Sequence, residues 1–198
     1  MKRTILVVGI LLTTGNLVFA DLSYIAGSAG VRPPPFSDKS FWHIEPDMQK
    51  GFPLTVVSGG PYILKELEVA VFQYYGDSTA SFSVNVDNNG EPGDVIATTF
   101  LTGITTTPQV MNSPFTEEVV LQSDTLYWLV GKADTEVNWS LGKTFGSVAF
   151  EVEGIKWTVL PNGNLAAYAI LGSPVPEPAT LLLLGLGGMA LLRKRRQT

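Results

Sequence analysis

The chain has 198 residues, 45% of them hydrophobic and 16% charged, and no cysteine. That length fits one domain able to bury a core without staples, and the lack of cysteine excludes a disulfide scaffold, a thiol nucleophile, a thiolate zinc site and a cysteine-linked lipid anchor. The net charge of −5 conceals a more acidic body: Lys2, Arg3 and the 193–196 block hold six of the thirteen basic side chains, so residues 21–174 keep seven against seventeen acidic ones, a surface that repels phosphate backbones and disfavours nucleic acid.

The first twenty residues, "MKRTILVVGILLTTGNLVFA", have the three parts of a secretory signal. Lys2 and Arg3 give the positive start. Thr4 to Leu12 give an apolar stretch too short to span stably, and Val18 and Ala20 set small side chains before a cut predicted after Ala20. An uncleaved anchor helix is the competing reading, but Gly15 and Asn16 interrupt the apolar run. Residues 21–50 include "GSAGVRPPPFSDKS" and read as an extended arm or a first sheet edge, because proline blocks central pairing.

Residues 21–172 read as one extracellular domain, in which the pattern is alternation broken by turn residues, with no helical period of useful length between the two ends. In "YILKELEVAVFQYY", Leu67, Val69 and Val71 fall on one face, with Ala70, Phe72 and Tyr74 on the other. "SFSVNVDNNGEPGDVIATTF" predicts a hairpin that reverses at Asn88-Asn89-Gly90, residues that tolerate positive φ. "TEEVVLQ", "TLYWLVGKA", "EVNWSLG", "SVAFEVEG", "IKWTVL" and "NLAAYAIL" predict further strands, with a tight turn at "LPNGN". Roughly eight to ten short strands predict an all-β protein, an antiparallel β-sandwich of jelly-roll type.

Residues 173–198 form a separate unit. "GSPVPEP" is a proline-stiffened linker. Pro178 suits a first helical position, Glu177 suits the positive end of the dipole, and the basic block suits the negative end. A helix from Ala179 to Leu192 would rise roughly 21 Å, against about 30 Å of hydrocarbon, a gap that bilayer thinning and snorkelling arginines can cover. The basic block marks the cytoplasmic side, which puts the acidic body outside.

"VPEP", a short Leu/Gly-rich segment and "RKRR" near the end together resemble the PEP-CTERM sorting signal of bacterial surface proteins. The resemblance implies recognition of Pro176, Glu177 and Pro178 by a membrane-embedded exosortase that removes the tail. Arg193, Lys194, Arg195 and Arg196 would be the cytoplasmic stop. It also implies the secretion machinery as a partner, a brief stay in the inner membrane through the C-terminal helix, and delivery to the surface or matrix of a Gram-negative-type bacterium. A permanent single-span anchor is the plainer alternative. The body also resembles the choice-of-anchor extracellular domains, type R, over about residues 51–142. The matching pieces are "GGPYILKELEVAVF", "SVNVDNNGEPGDVIA", "DTLYWLVGKAD" and "VNWSLG". This likeness implies fold and location rather than a reaction.

Candidate chemistry is sparse. His43 is the sole histidine, so a Ser-His-Asp triad would have to use it, and no nucleophile elbow accompanies it. It reads as a structural or surface residue. Glu66/Glu68, Glu117/Glu118 and Glu151/Glu153 are available carboxylate pairs for glycoside hydrolysis, but such pairs usually mark a solvated face. Asp87, Asn88, Asn89 and Asp94 offer oxygens for calcium without the spacing of an EF-hand, and the hairpin accounts for the same residues. Trp139 and Trp157, each beside polar neighbours, alternate between faces, so one of them is a candidate to stack on a sugar, with core packing as the leading reading for both. No phosphate-binding glycine loop occurs, and no cofactor is expected. The expectation is a non-enzymatic exported sandwich, structural or adhesive, with exopolysaccharide as a possible partner. A carbohydrate-binding module is the alternative, and a glycoside hydrolase ranks third.

Overall fold

Strict alternation over long runs can be satisfied only if one side of each strand faces another layer. The computed structural model shows that layer for residues 22–28, 34, 36–37, 39–74, 78–152 and 155–175. Among the described residues there are twelve strands and no helix: β1 (Ser23–Gly27), β2 (Phe41–Ile44), β3 (Met48–Thr55), β4 (Tyr62–Phe72), β5 (Ser78–Asp87), β6 (Pro92–Ile104), β7 (Gln109–Pro114), β8 (Val120–Leu121), β9 (Leu126–Ala133), β10 (Val137–Val152), β11 (Thr158–Ala166) and β12 (Tyr168–Pro174). All pairings are antiparallel.

Two sheets form the sandwich. In the first, β4 pairs with β12 on one edge and with β7 and β8 on the other, while β1 pairs with β12. The start of β10 joins this sheet beside the end of β4 and carries β2. The second sheet runs β11-β10-β3-β9-β5-β6. The chain passes between layers repeatedly, from β3 to β4 to β5, the jelly-roll-like habit that short alternating strands predict. β10 belongs to both sheets, pairing with β2 and β4 at residues 137–140 and with β3 at 149–152.

The core lies between the layers. Leu67, Val69 and Val71 of β4 meet Phe52 and Leu54 of β3, Phe82 and Val84 of β5, and Leu129 of β9, all at most 2% exposed. Trp139 is the centre, edge-on to Phe52 at 4.7 Å, Phe82 at 4.9 Å and Tyr168 at 6.2 Å between ring centroids. Alternation is kept in β5, where Phe82 and Val84 are buried and Ser81 and Ser83 are half-exposed. It fails in β4, where Ala70 and Phe72 on the other face are buried too.

The predicted hairpin is present: β5 and β6 reverse through Asn89 at φ 57° and Gly90 at φ 89°. Two expected boundaries are absent. "EVNWSLG" and "SVAFEVEG" belong to one strand, β10, because "KTF" continues the extended chain from one sheet to the other. "LPNGN" is no turn either: Asn162, at φ 60°, sits inside β11 where the register with β10 slips, and the break before β12 comes at Ala167. Residues 21–50, expected to be extended, supply an edge strand in β1, the short strand β2 and the beginning of β3.

Candidate functional site

The hairpin tip is organised by Asp87. Its Oδ1 accepts the Trp128 indole N–H at 2.8 Å, and the Gly90 N–H lies 3.1 Å from Oδ1 and 3.3 Å from Oδ2. Asn88 N–H donates to the Glu91 carbonyl at 2.9 Å. Asn89 is exposed with its Nδ2 toward Asn88 Oδ1, and Asp94 is exposed on β6. Asp87, one of the two carboxylates nominated for calcium, therefore already fastens a turn to a buried tryptophan.

The tryptophans divide by register. Trp139 points between the sheets, is 0% exposed and donates its indole N–H to the Ala167 carbonyl at 3.2 Å. Core packing therefore holds for Trp139 and its candidacy as a stacking residue falls: its polar neighbours Asn138 and Ser140 lie on the opposite face of β10, and both are buried as well. Trp157 is half-buried over the outer face of the second sheet, against Trp128, Val130 and Ala149. That face carries an accessible aromatic that the tryptophan reading misses, Phe100, at 63% exposure. The signal was available: Ala97, Thr99 and Leu101 of β6 are buried in alternation, so Phe100 had to face outward.

Phe100 heads a row across the sheet. It pairs with Ser81 of β5, which pairs with Lys132 of β9, and the same register brings Gln49 of β3 next, paired with Glu151 of β10. Gln49 Nε2 donates to Glu151 Oε2 at 3.2 Å, and Ser81 Oγ donates to the Lys132 carbonyl at 3.4 Å. Thr79, Ser81, Phe100, Lys132, Ala133 and Asp134 line a groove of about 240 Å³ at the Phe100 end. The row offers an apolar ring, a hydroxyl, an ammonium, an amide and a carboxylate, a set able to stack on and hydrogen-bond a polyhydroxylated chain.

The other nominated carboxylates are scattered. Glu66 and Glu68 do share a face of β4; Glu66 accepts from Asn112 Nδ2 at 2.7 Å and Glu68 is 3% exposed. Glu117 and Glu118 are exposed after β7, and Glu153 lies outside the described residues. His43 is at the rim of the first sheet, its Nδ1 2.8 Å from Glu136 Oε1.

The body ends where the sorting segment begins. β12 closes at Pro174, and the Val175 N–H donates to the Pro61 carbonyl at 2.9 Å. Ala20, Pro176, Glu177, Pro178 and the basic residues Arg193, Lys194, Arg195 and Arg196 lie outside the described residues, as does the expected membrane helix. Residues 174–196 match the family described as the PEP-CTERM protein-sorting motif. That match implies export, a membrane-anchored sorting signal and an exosortase as the general kind of partner. No curated relative matches the chain.

Proposed function

We propose that the sorting tail delivers a non-enzymatic β-sandwich to the bacterial surface or the surrounding exopolysaccharide, where it is a structural or adhesive component. The observation that carries this reading is the position of the motif, which starts at the last residue of β12, so a cut in the tail would free an intact domain. The predicted leader at 1–20, the cytoplasmic stop at 193–196 and the likeness of the body to choice-of-anchor domains agree with it.

The test is surface delivery. With Pro176, Glu177 and Pro178 all replaced by alanine, the protein stays in the inner membrane; with the native motif it is labelled at the surface by a membrane-impermeant reagent. Equal surface labelling of both forms would remove the exosortase from the account.

A second reading, a carbohydrate-binding module, is favoured by the Phe100–Glu151 row. On a glycan array the wild-type domain would then bind and Phe100→Ala would lose most of the signal. Silence on every glycan leaves the structural role alone.

A further inference from the structure

The short strand β2 pairs with the start of β10 in the register Ile44↔Val137 and His43↔Asn138. Ile44 and Val137 are 0% exposed and belong to the core between the sheets. His43 and Asn138 therefore face the other way, and the register carried one step further sets Glu45 beside Glu136. Four side chains thus occupy the corners of one small patch. His43 Nδ1 stands 2.8 Å from Glu136 Oε1, and one ligand atom each of His43, Glu45 and Glu136 lies within 4.8 Å of the others. At the fourth corner Asn138 is 0% exposed, and both atoms of its amide lack a hydrogen-bond partner. A buried amide with neither atom used is rare in a folded protein, and a bound water or an ion beside it would satisfy it.

The geometry points to a divalent transition-metal site at His43, Glu45 and Glu136, with zinc as the ion that fits best and the unpartnered amide of Asn138 directly across the strand pair from His43. One imidazole and two carboxylates neutralise a divalent charge, and the imidazole favours zinc over calcium or magnesium. Metal–ligand bonds of about 2.0–2.2 Å set neighbouring ligand atoms roughly 3.3–3.6 Å apart around a tetrahedral ion. The ligand atoms, all within 4.8 Å of one another, can reach that spacing by small side-chain rotations, since His43 is 46% and Glu136 49% exposed. The Phe41 ring stands edge-on to the imidazole at 5.1 Å and limits its swing. Lys50 is the cation whose charge reaches Glu45, yet the two form no ion pair, and its ammonium is held over the rings of Trp42 and Phe150. An ion here would tie the four-residue strand β2 to β10 and close the rim of the first sheet.

The test uses untagged full-length protein in detergent, because His43 is the only histidine and gives one imidazole signal. Titration with zinc chloride should show one equivalent bound and a shift of the ¹⁵N-labelled imidazole resonances. The unfolding midpoint should rise by roughly 5 °C or more at a hundredfold excess over the dissociation constant. His43→Ala should abolish binding and Glu136→Gln should weaken it at least about tenfold, while the distant Glu91→Gln should bind as the wild type does. Calcium should leave the imidazole unmoved. The proposal fails if about 1 mM zinc produces no binding, if the wild-type imidazole does not shift, if His43→Ala binds as well as wild type, or if calcium competes on equal terms.

Discussion

Replacing Trp139 tests whether this residue is the keystone of the core. The indole is fully buried and contacts three rings at 4.7, 4.9 and 6.2 Å between centroids. Truncating such a side chain to alanine costs about 3–5 kcal/mol, made up of lost burial, lost edge-to-face contacts and the remaining cavity. The indole hydrogen bond adds little, because the Ala167 carbonyl that accepts it also accepts the Ala70 N–H at 3.1 Å and is not orphaned. Trp139→Phe should therefore cost less, about 1–3 kcal/mol, through volume alone. For a domain of this size each kcal/mol moves the midpoint by about 2–4 °C, so Trp139→Ala should melt roughly 6–20 °C below wild type. Trp157→Ala, on the half-buried outer face, should move it far less. Thermal unfolding followed by circular dichroism measures all three. A Trp139→Ala midpoint within about 2 °C of wild type would mean that the indole is not what holds the core together.

Gly172→Ala would put a Cβ 2.7 Å from both the Ile63 carbonyl oxygen and Ile25 Cδ1, at the pairing of β12 with β4. Because a backbone atom cannot step aside cheaply, a loss of about 1–3 kcal/mol in urea unfolding is expected. Asp87→Ala should cost about 1–3 kcal/mol by stranding the Trp128 indole, whereas Asp87→Asn keeps an acceptor and should stay close to wild type. Measuring both variants with and without EDTA shows whether calcium contributes at that turn; an equal EDTA effect on wild type and Asp87→Ala would remove Asp87 as a ligand. Burial lowers the pKa of Lys50, against a smaller opposing effect of Glu45. Between that lowered value and the ordinary 10.5 the unfolded chain holds a proton that the folded chain has released, so Lys50 makes stability rise with pH there. Urea midpoints measured as the pH is raised towards 10.5 should climb more steeply in wild type than in Lys50→Met, and parallel curves would contradict this.

The alternation in "SFSVNV" and the Asn-Asn-Gly reversal made β5 and its turn legible, because period and turn chemistry act within a few residues. β10 was illegible for the opposite reason. Gly142 and Gly146 around "KTF" look like turn punctuation, and only the presence of two sheets to bridge makes an unbroken sixteen-residue strand the better solution. Trp139 shows the same limit: its polar neighbours suggest exposure unless it is known that β10 is buried on both faces at that point. The His43 patch depends on pairing across about ninety residues of chain, which no local pattern encodes. Its carboxylates belong to none of the pairs that stand side by side in the sequence. The tail was readable because order and position, rather than three-dimensional packing, define a sorting signal, and the match at 174–196 agrees with the motif at Pro176, Glu177 and Pro178.

Intact-mass analysis of the protein recovered from the cell surface tests export and sorting together. The account predicts a mature chain that begins after Ala20, ends within the C-terminal segment and is therefore well below the 21.3 kDa of the full sequence. A full-length 21.3 kDa chain, found in the cytosol with both ends intact, would contradict it.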